Sequence, residues 1–440
     1  MTSAGFPIHE YVIALLMKLF GTTSPWVFRV WTLLWALLGL CFLYKVSYLL
    51  TNDGAKSLLV SSIAITSPVM AYYMNGFLPG IPALSLSIIG FWFYLSHLES
   101  GVKRSFYLGI AFLTLATLIR TTFAIALITV LCFELLRIFR KESTFLDKLP
   151  AVLGAICAYL LCFFWNRHLT QLHGTIFLNQ LLPAESWQDA RELIDEAYQH
   201  WKYHYFQHFH YWLFLVVAVV AVTVIIYRVF GKKSPKQETP AKKPLSLWWL
   251  PLIQLFGCVL FTIAMMQQIE HHDYYFIDTF FLPVLLMLVL LLRNLPKPKR
   301  IILVDAEYLL AIALLALMSN NVSDMQVSRR ASENYALLSH NNYQNSDLLL
   351  DSLGISDDAK VLCLYGYAQN GPFIDMQRKG FIVMEDKDEL LEAAFRFPFD
   401  CVVIENEKLQ IHYNNRASLF SQLKKIGGND KISVFLPNHF

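Results

Sequence analysis

Ionisable side chains stand at three places beside long apolar runs, and their types are those that can do chemistry. Four of them, from Glu270 to Asp273, crowd one short loop. Arg120 lies alone inside another apolar run, and His9 and Glu10 begin a third. Charged groups at membrane depth are costly and tend to be functional, so we take these places as candidate functional residues.

The short loop offers acid–base and anion-binding groups. Asp273 or Glu270 can accept a proton from a hydroxyl, and Glu10 is a further candidate base. His271 and His272 can hold a phosphate oxygen. The alternative interpretation is an ordinary wet loop with interfacial tyrosines.

Arg120 suits an anionic lipid headgroup. A planar guanidinium matches phosphate oxygens with paired hydrogen bonds. The alternative is an arginine that caps helix carbonyls at a turn or extends to the membrane interface. We expect the three places to converge on one vestibule, because each stands at the outer end of a predicted span.

Composition places these residues in a membrane protein. The 440 residues are 56% apolar and 16% charged, whereas a soluble chain carries about a quarter charged residues. Apolar runs of about 18 residues or more predict membrane spans. We predict ten, at about 26–50, 57–74, 78–97, 106–119, 122–138, 149–166, 211–230, 246–266, 275–293 and 300–319. Residues 8–20 are too short to cross and predict an interfacial helix.

Basic residues predict which loops face the cytoplasm. Half of the 36 lysines and arginines fall in five short loops, which alternate with loops nearly free of them. The positive-inside rule places the five loops in the cytoplasm. Both flanks of residues 105–136 are basic, so this run must cross twice and turn at Arg120.

Ten spans put residues 1–25 and 320–440 on the same outer face. The simplest explanation is a missing upstream span, and insertion with the N-terminus outside is the alternative. We predict a transmembrane domain over residues 1–319 and an extracytoplasmic α/β domain over residues 320–440. Membrane lipids are expected partners, and nucleic acid is not, because no basic patch outside the spans carries interleaved aromatics.

Residues 167–210 are predicted to form a long outer loop that contains an interfacial helix. Ser186 can cap a helix over residues 187–209, and the second half of that helix is strongly aromatic. Three histidines recur every four residues on one predicted face: His200, His204 and His208. They are either a metal site or the polar tips of an interfacial helix.

The last 120 residues alternate strand and helix patterns, which predicts a small α/β layer structure. Strands are predicted at 360–365, 380–383, 400–404 and 431–436, and helices at 346–353, 387–395 and 416–425. Cys363 and Cys401 either pair or are buried in strands. The turn at 365–371 lacks a GxGxxG pattern, which favours a structural or acceptor-gripping role over a nucleotide site.

The order of these parts resembles the polyprenyl-phosphate-sugar-dependent membrane glycosyltransferases of the C-type fold, related to protein mannosyltransferases and lipid A aminoarabinose transferase. The segments that carry the resemblance are Phe6–Tyr11, Leu15–Gly21, Pro25–Arg29, Ser67–Gly76, Leu118–Thr121, His272–Tyr275 and Pro283. The family's first span and first outer loop, which holds an acidic residue, have no counterpart here. Residues 75–82 also lack the acidic position often found near the end of the third span.

The resemblance implies an enzyme that transfers a sugar from a polyprenyl-phosphate donor to a glycan, lipid or protein acceptor at the outer face. A divalent metal ion is an open possibility as cofactor, although the sequence has no zinc spacing such as CxxC. The competing hypothesis is a non-catalytic carrier or assembly factor for lipid-linked glycans. Transporters show internal repeats and polar residues at mid-membrane, and neither is found in this sequence.

Overall fold

A computed structural model describes residues 6–173, 181–230, 245–296, 301–332, 335–368, 370–385, 387–412 and 416–438. The chain divides into two compact units, Met1–Gln326 and Val327–Phe440. The predicted basic loops at 231–244 and 297–300 lie outside the described residues.

The first unit is helical. Its elements are α1 Ile8–Phe20, α2 Trp26–Thr51, α3 Gly54–Ile65, α4 Pro68–Tyr73, α5 Gly80–Ser100, α6 Lys103–Ile119, a 3₁₀ turn Thr121–Phe123, α7 Ala124–Phe139, α8 Leu149–His173, α9 Trp187–Tyr205, α10 His208–Phe230, α11 Trp249–Ala264, α12 Met266–Ile269, α13 Tyr275–Asp278, α14 Phe281–Arg293 and the first part of α15 Ile301–Ser332. Each predicted span coincides with one helix or an interrupted pair, and α1 coincides with the predicted interfacial helix.

Six segments of the described residues are long and apolar enough to cross a membrane: α2, α5, residues 121–139, α8, α10 and α15. The helices α3, α11 and α14 are apolar but shorter. The predicted polytopic membrane fold is confirmed. The predicted span 57–74 breaks at Thr66 and Ser67, because the residue before a proline, here Pro68, is disfavoured in helical conformation.

The loops gather into two groups at opposite ends of the helices. At the basic end, formed by residues 52–56, 101–103, 140–148 and 294–296, Lys103 pairs with Asp147 and Lys56 donates to the carbonyl of Leu295. At the opposite end, the backbone N–H of Phe6 donates to the carbonyl of Leu118 over 2.8 Å. This grouping matches the predicted alternation of basic and non-basic loops.

Helix α5 is the most buried of the candidate spans and lies between α2 and α6. Small residues permit the close approach: a Cβ added at Gly90 would lie 3.0 Å from the carbonyl oxygen of Gly109. Glycine at helix interfaces is a common device of membrane bundles. The helix thereby fixes Gly80, its first residue, at the opposite end.

The second unit contains a five-stranded sheet. Its helices are α16 Tyr335–Tyr343, α17 Ser346–Ser352, α18 Gly371–Met376, α19 Asp388–Phe395, α20 Asn406–His412 and α21 Ala417–Phe420. Its strands are β1 Lys360–Leu364, β2 Lys379–Val383, β3 Cys401–Glu405, β4 Leu423–Gly428 and β5 Ile432–Pro437. The strand order is β2-β1-β3-β5-β4; β1 is parallel to β2 and β3, and β5 is antiparallel to β3 and β4.

The predicted α/β class is confirmed, with one error at the edge of the sheet. A helix was expected over residues 416–425, whereas α21 ends at Phe420 and β4 begins at Leu423. The pairing of β4 with β5 overrides the local helical pattern, and Lys424 and Lys425 project from this edge strand as exposed charges. Cys363 and Cys401 are free and buried in strands.

Candidate active site

Arg120 forms a buried ion pair that the sequence analysis missed. Helix α6 ends where Arg120 adopts an extended backbone, and its Nε donates to a carboxylate oxygen of Asp278. The Asp278 side chain is 1% exposed, while that of Arg120 is 16% exposed. Asp278 lay inside the predicted span 275–293, where an acidic residue is itself the signal that could have found it.

Two tyrosines and one glycine surround the ion pair of Arg120 and Asp278. The guanidinium carbon of Arg120 lies 4.8 Å from the ring centroid of Tyr274 and 5.9 Å from that of Tyr275, which are cation–π distances. A Cβ added at Gly80 would lie 2.9 Å from Oδ1 of Asp278. The glycine at the start of α5 therefore lets the carboxylate reach the helix N-terminus, where negative charge is favoured.

Asp273, the residue before Tyr274, is also buried. The hydroxyl of Tyr73 donates to its Oδ1 over 2.7 Å, and Nδ1 of His204 lies 3.8 Å from its Oδ2. The rings of Tyr73 and Tyr274 meet edge to face with centroids 6.0 Å apart. The predicted convergence of Arg120 with the 270–275 loop is thus present, through Tyr274.

The other loop residues differ in exposure. His271 is exposed, while His272 is half-buried and stacks on Tyr274 with centroids 5.0 Å apart. Burial, with the charges of His271 and Arg120, lowers the pKa of His272, and Asp273 partly opposes this. The ring of His272 is therefore mainly neutral at neutral pH.

Glu270 contributes to the docking of α9. Its carbonyl oxygen accepts a 2.8 Å hydrogen bond from the indole N–H of Trp201. Its carboxyl shares a hydrogen bond with Glu196 of α9, and this bond and the charge of Glu270 raise the pKa of Glu196. The helix is thus tied to the loop that carries Asp273.

The start of α1, which carries His9 and Glu10, lies close to the Arg120 turn through a backbone hydrogen bond. The Phe6–Leu118 bond sets the start of α1 against the end of α6, two residues before Arg120. His9 is buried, accepts a hydrogen bond from Trp31, and has its pKa lowered to about 4 by burial. Glu10 is exposed, and the contacts that join Arg120, Tyr274 and Asp273 do not include it.

The three spaced histidines do not share one helix face. The predicted helix is present with its cap, since Ser186 accepts from the N–H of Asp189, but α9 ends at Tyr205 and His208 begins α10. The extended backbone of Phe206 causes this break. Among the described residues, no group of three or more His, Cys, Asp or Glu side chains is placed to hold a metal ion.

Fold and site together place the chain in one class. It is a multi-pass membrane protein with a paired cation and a buried carboxylate at one end of its helices and a small α/β unit after them. The resemblance to membrane glycosyltransferases of the C-type fold, predicted from the sequence, is confirmed.

Comparisons with known proteins show what part of the chain is similar to them. The model of the family described as dolichyl-phosphate-mannose-protein mannosyltransferase matches residues 4–165. The cryo-EM structure of the arabinofuranosyltransferase AftD from Mycobacteria aligns over 99% of this chain and 35% of its own, with 13% identity and a TM-score of 0.52. A search of curated proteins gave no match.

Two crystal structures of ArnT from Cupriavidus metallidurans also align with the chain. One is in the apo state and one is bound to undecaprenyl phosphate. Each covers 99% of this chain and 88% of its own at 10% identity, with TM-scores of 0.49 and 0.46 respectively.

Proposed function

We propose that this protein transfers a sugar from a polyprenyl-phosphate-linked donor to a glycan, lipid or protein acceptor. The observation that supports this most is that Tyr274 connects the two groups, at the end of the helices away from the basic loops: its ring lies under the guanidinium of Arg120 and meets the ring of Tyr73, whose hydroxyl is bonded to Asp273. A cation for a phosphate and a carboxylate for a hydroxyl proton are the two groups that such a transfer needs.

Arg120 binds the donor phosphate in this proposal. Asp278 engages Nε, which fixes the plane of the guanidinium and leaves it partly exposed. Phosphate recognition by a fixed guanidinium fork is strong and directional. His272, stacked on the same tyrosine, is placed to donate a further hydrogen bond to a phosphate oxygen.

Asp273 is the carboxylate of the acid–base machinery in this proposal, and Glu270 in the same loop is the partner of α9. Glu10 stays a candidate through its place in α1. The positive-inside rule puts the site and the C-terminal unit on the extracytoplasmic side of the plasma (inner) membrane.

The test is sugar transfer by the purified full chain in lipid nanodiscs, with a radiolabelled polyprenyl-phosphate sugar. Arg120→Ala and Asp273→Ala are each expected to abolish transfer while the protein still accumulates. Because Arg120→Ala leaves Asp278 buried without its cation, a second variant combines Arg120→Met with Asp278→Leu. It removes both charges together, which avoids the cost of a lone buried ion.

The matched control is Arg29→Met. Arg29 also stacks on an aromatic ring, with its guanidinium carbon 5.4 Å from the centroid of Phe77, but it is exposed. Transfer by this variant should equal that of the wild type. Full activity of both Arg120→Ala and Asp273→Ala would reject the site. Binding of the donor without any transfer by the wild type would favour the carrier hypothesis.

A further inference from the structure

The buried position of Asp273 raises the question of which group meets the acceptor. Asp273 is 2% exposed, whereas the side chain of His204 is 22% exposed. One carboxylate oxygen of Asp273 takes the hydroxyl of Tyr73, and the other faces Nδ1 of His204. The histidine therefore stands between the carboxylate and the surface.

We propose that His204 takes the proton of the acceptor hydroxyl and that Asp273 is its positioning residue. This inference rests on the proposed glycosyl transfer and gives its proton a specific destination, Nε2 of His204. A neutral imidazole with Nδ1–H turned toward a carboxylate has its lone pair on Nε2, which is the arrangement a general base needs.

The ring of His204 packs against Trp201, and the residue that follows it is also held by a ring contact. The indole of Trp201, one turn earlier in α9, meets it edge to face with centroids 5.1 Å apart, and this indole is itself tied to the carbonyl of Glu270. Tyr205, the next residue, stacks on Phe276 at 4.2 Å. The Nδ1–Oδ2 distance of 3.8 Å is longer than a hydrogen bond, as is common for catalytic contacts in free enzymes, which tighten when substrate binds.

The positions of Arg120 and of the His204–Asp273 dyad suit the glycosyl transfer. Arg120 contacts Tyr274, and Tyr274 contacts the Tyr73 ring whose hydroxyl holds Asp273, so the cation and the dyad belong to one connected set of side chains. The acceptor oxygen forms the new bond to the anomeric carbon, and its proton moves to Nε2 of His204. The bond between the anomeric carbon and the phosphate oxygen breaks, and the polyprenyl phosphate leaves as an anion that Arg120 stabilises.

The kinetic test compares His204→Ala with His200→Ala. His200 lies one turn earlier on α9 and is exposed, which makes it the matched control. We expect His204→Ala to lower kcat by about 10²- to 10⁴-fold, the usual contribution of a general base, with the donor KM unchanged. Free imidazole should restore part of the activity of His204→Ala, which a structural role would not allow.

Asp273→Asn separates the two roles. It should lower kcat and resist rescue by imidazole, because the positioned base is still present but no longer oriented. Wild-type kcat in His204→Ala, together with loss of transfer in Asp273→Asn, would overturn the inference and return the role of base to Asp273.

A second measurement does not depend on activity. Nitrogen-15 NMR of histidine-labelled full chain, with His204→Gln to assign the signal, reports which ring nitrogen carries the proton. We expect Nδ1–H at neutral pH in the wild type and a mixture of tautomers in Asp273→Asn. An Nε2–H tautomer in the wild type would contradict the dyad. Absence of transfer by a wild type with Nδ1–H would instead reject the proposed function and leave the dyad intact.

Discussion

The two ends of the helical unit each bury a carboxylate, but they surround it differently. At the basic end, Glu134 accepts from Tyr94, Arg137 and Ser143 over 2.6 to 3.0 Å, and Lys148 lies 3.5 Å away. Lys148 in turn contacts His97 over 2.8 Å. At the opposite end, Asp273 accepts a 2.7 Å hydrogen bond from Tyr73 and lies 3.8 Å from Nδ1 of His204, which is partly exposed.

The difference separates a structural cluster from a candidate site. A carboxylate that is saturated by donors has no capacity left for a substrate, and breaking such a network is strongly destabilising. A cation and a histidine that remain partly exposed can still bind and exchange protons. A buried charge alone is therefore a weaker sign of function than a buried charge that contacts a side chain accessible from the surface.

The largest expected effect on stability comes from Glu134→Ala. Lys148 would be left as a buried cation beside the half-buried Arg137, and breaking such a buried pair costs about 3–5 kcal/mol. Thermal unfolding of the full chain in detergent measures the change, and transfer per folded molecule should stay at the wild-type level. The control is Asp147→Ala, which removes an exposed pair with Lys103 and should leave the unfolding midpoint close to that of the wild type.

Equal unfolding midpoints for Glu134→Ala and Asp147→Ala would show that the Glu134 cluster does not stabilise the basic end. Loss of transfer by folded Glu134→Ala would contradict the distinction between a structural cluster and a candidate site, because the basic end would then contribute to catalysis.

Glu405 in the second unit is a further buried carboxylate. It accepts from the amide of Asn342 over 2.9 Å, and burial raises its pKa to about 7. Because the folded-state pKa lies above the ordinary value, the stabilisation is complete below about pH 4.5 and is lost as the pH rises through about 7. The loss is on the order of 3 kcal/mol.

Amide hydrogen exchange of β3 in the full chain checks this dependence. After correction for intrinsic rates, the opening free energy should fall between pH 5 and pH 8. Glu405→Gln should remove the fall, because an amide cannot ionise. An opening free energy of the wild type that is constant over this range would show that Glu405 is charged and stabilised like Glu134.

The sequence predicted the membrane fold well because apolar runs and basic loops are local signals. It also predicted that Arg120 and the 270–275 loop would meet, because both were assigned to the same end. It missed Asp278, which looked like part of a span, and it placed His208 on the helix of His204. The break at Phe206 and the pairing of β4 both depend on tertiary contacts that periodicity does not contain.

Two tyrosines give the most closely matched test of the comparison, with the smallest expected effect on stability. Tyr73 and Tyr94 each donate a 2.7 Å hydrogen bond to a buried carboxylate, at opposite ends of the unit. Tyr94→Phe should cost about 1 kcal/mol without changing kcat, because Glu134 keeps its other donors. Tyr73→Phe should cost a similar amount and also lower kcat by about tenfold, roughly the 1.4 kcal/mol of one such bond.

The reason for the expected difference is that Tyr73 fixes the carboxylate that orients His204, whereas Tyr94 fixes Glu134, which has no role in the proposed transfer. Steady-state kinetics and thermal unfolding of the same two preparations separate the effects. If the two variants lose the same stability and both retain wild-type kcat, the orientation of Asp273 does not govern transfer. The distinction between the two ends would then reduce to the position of Arg120 alone.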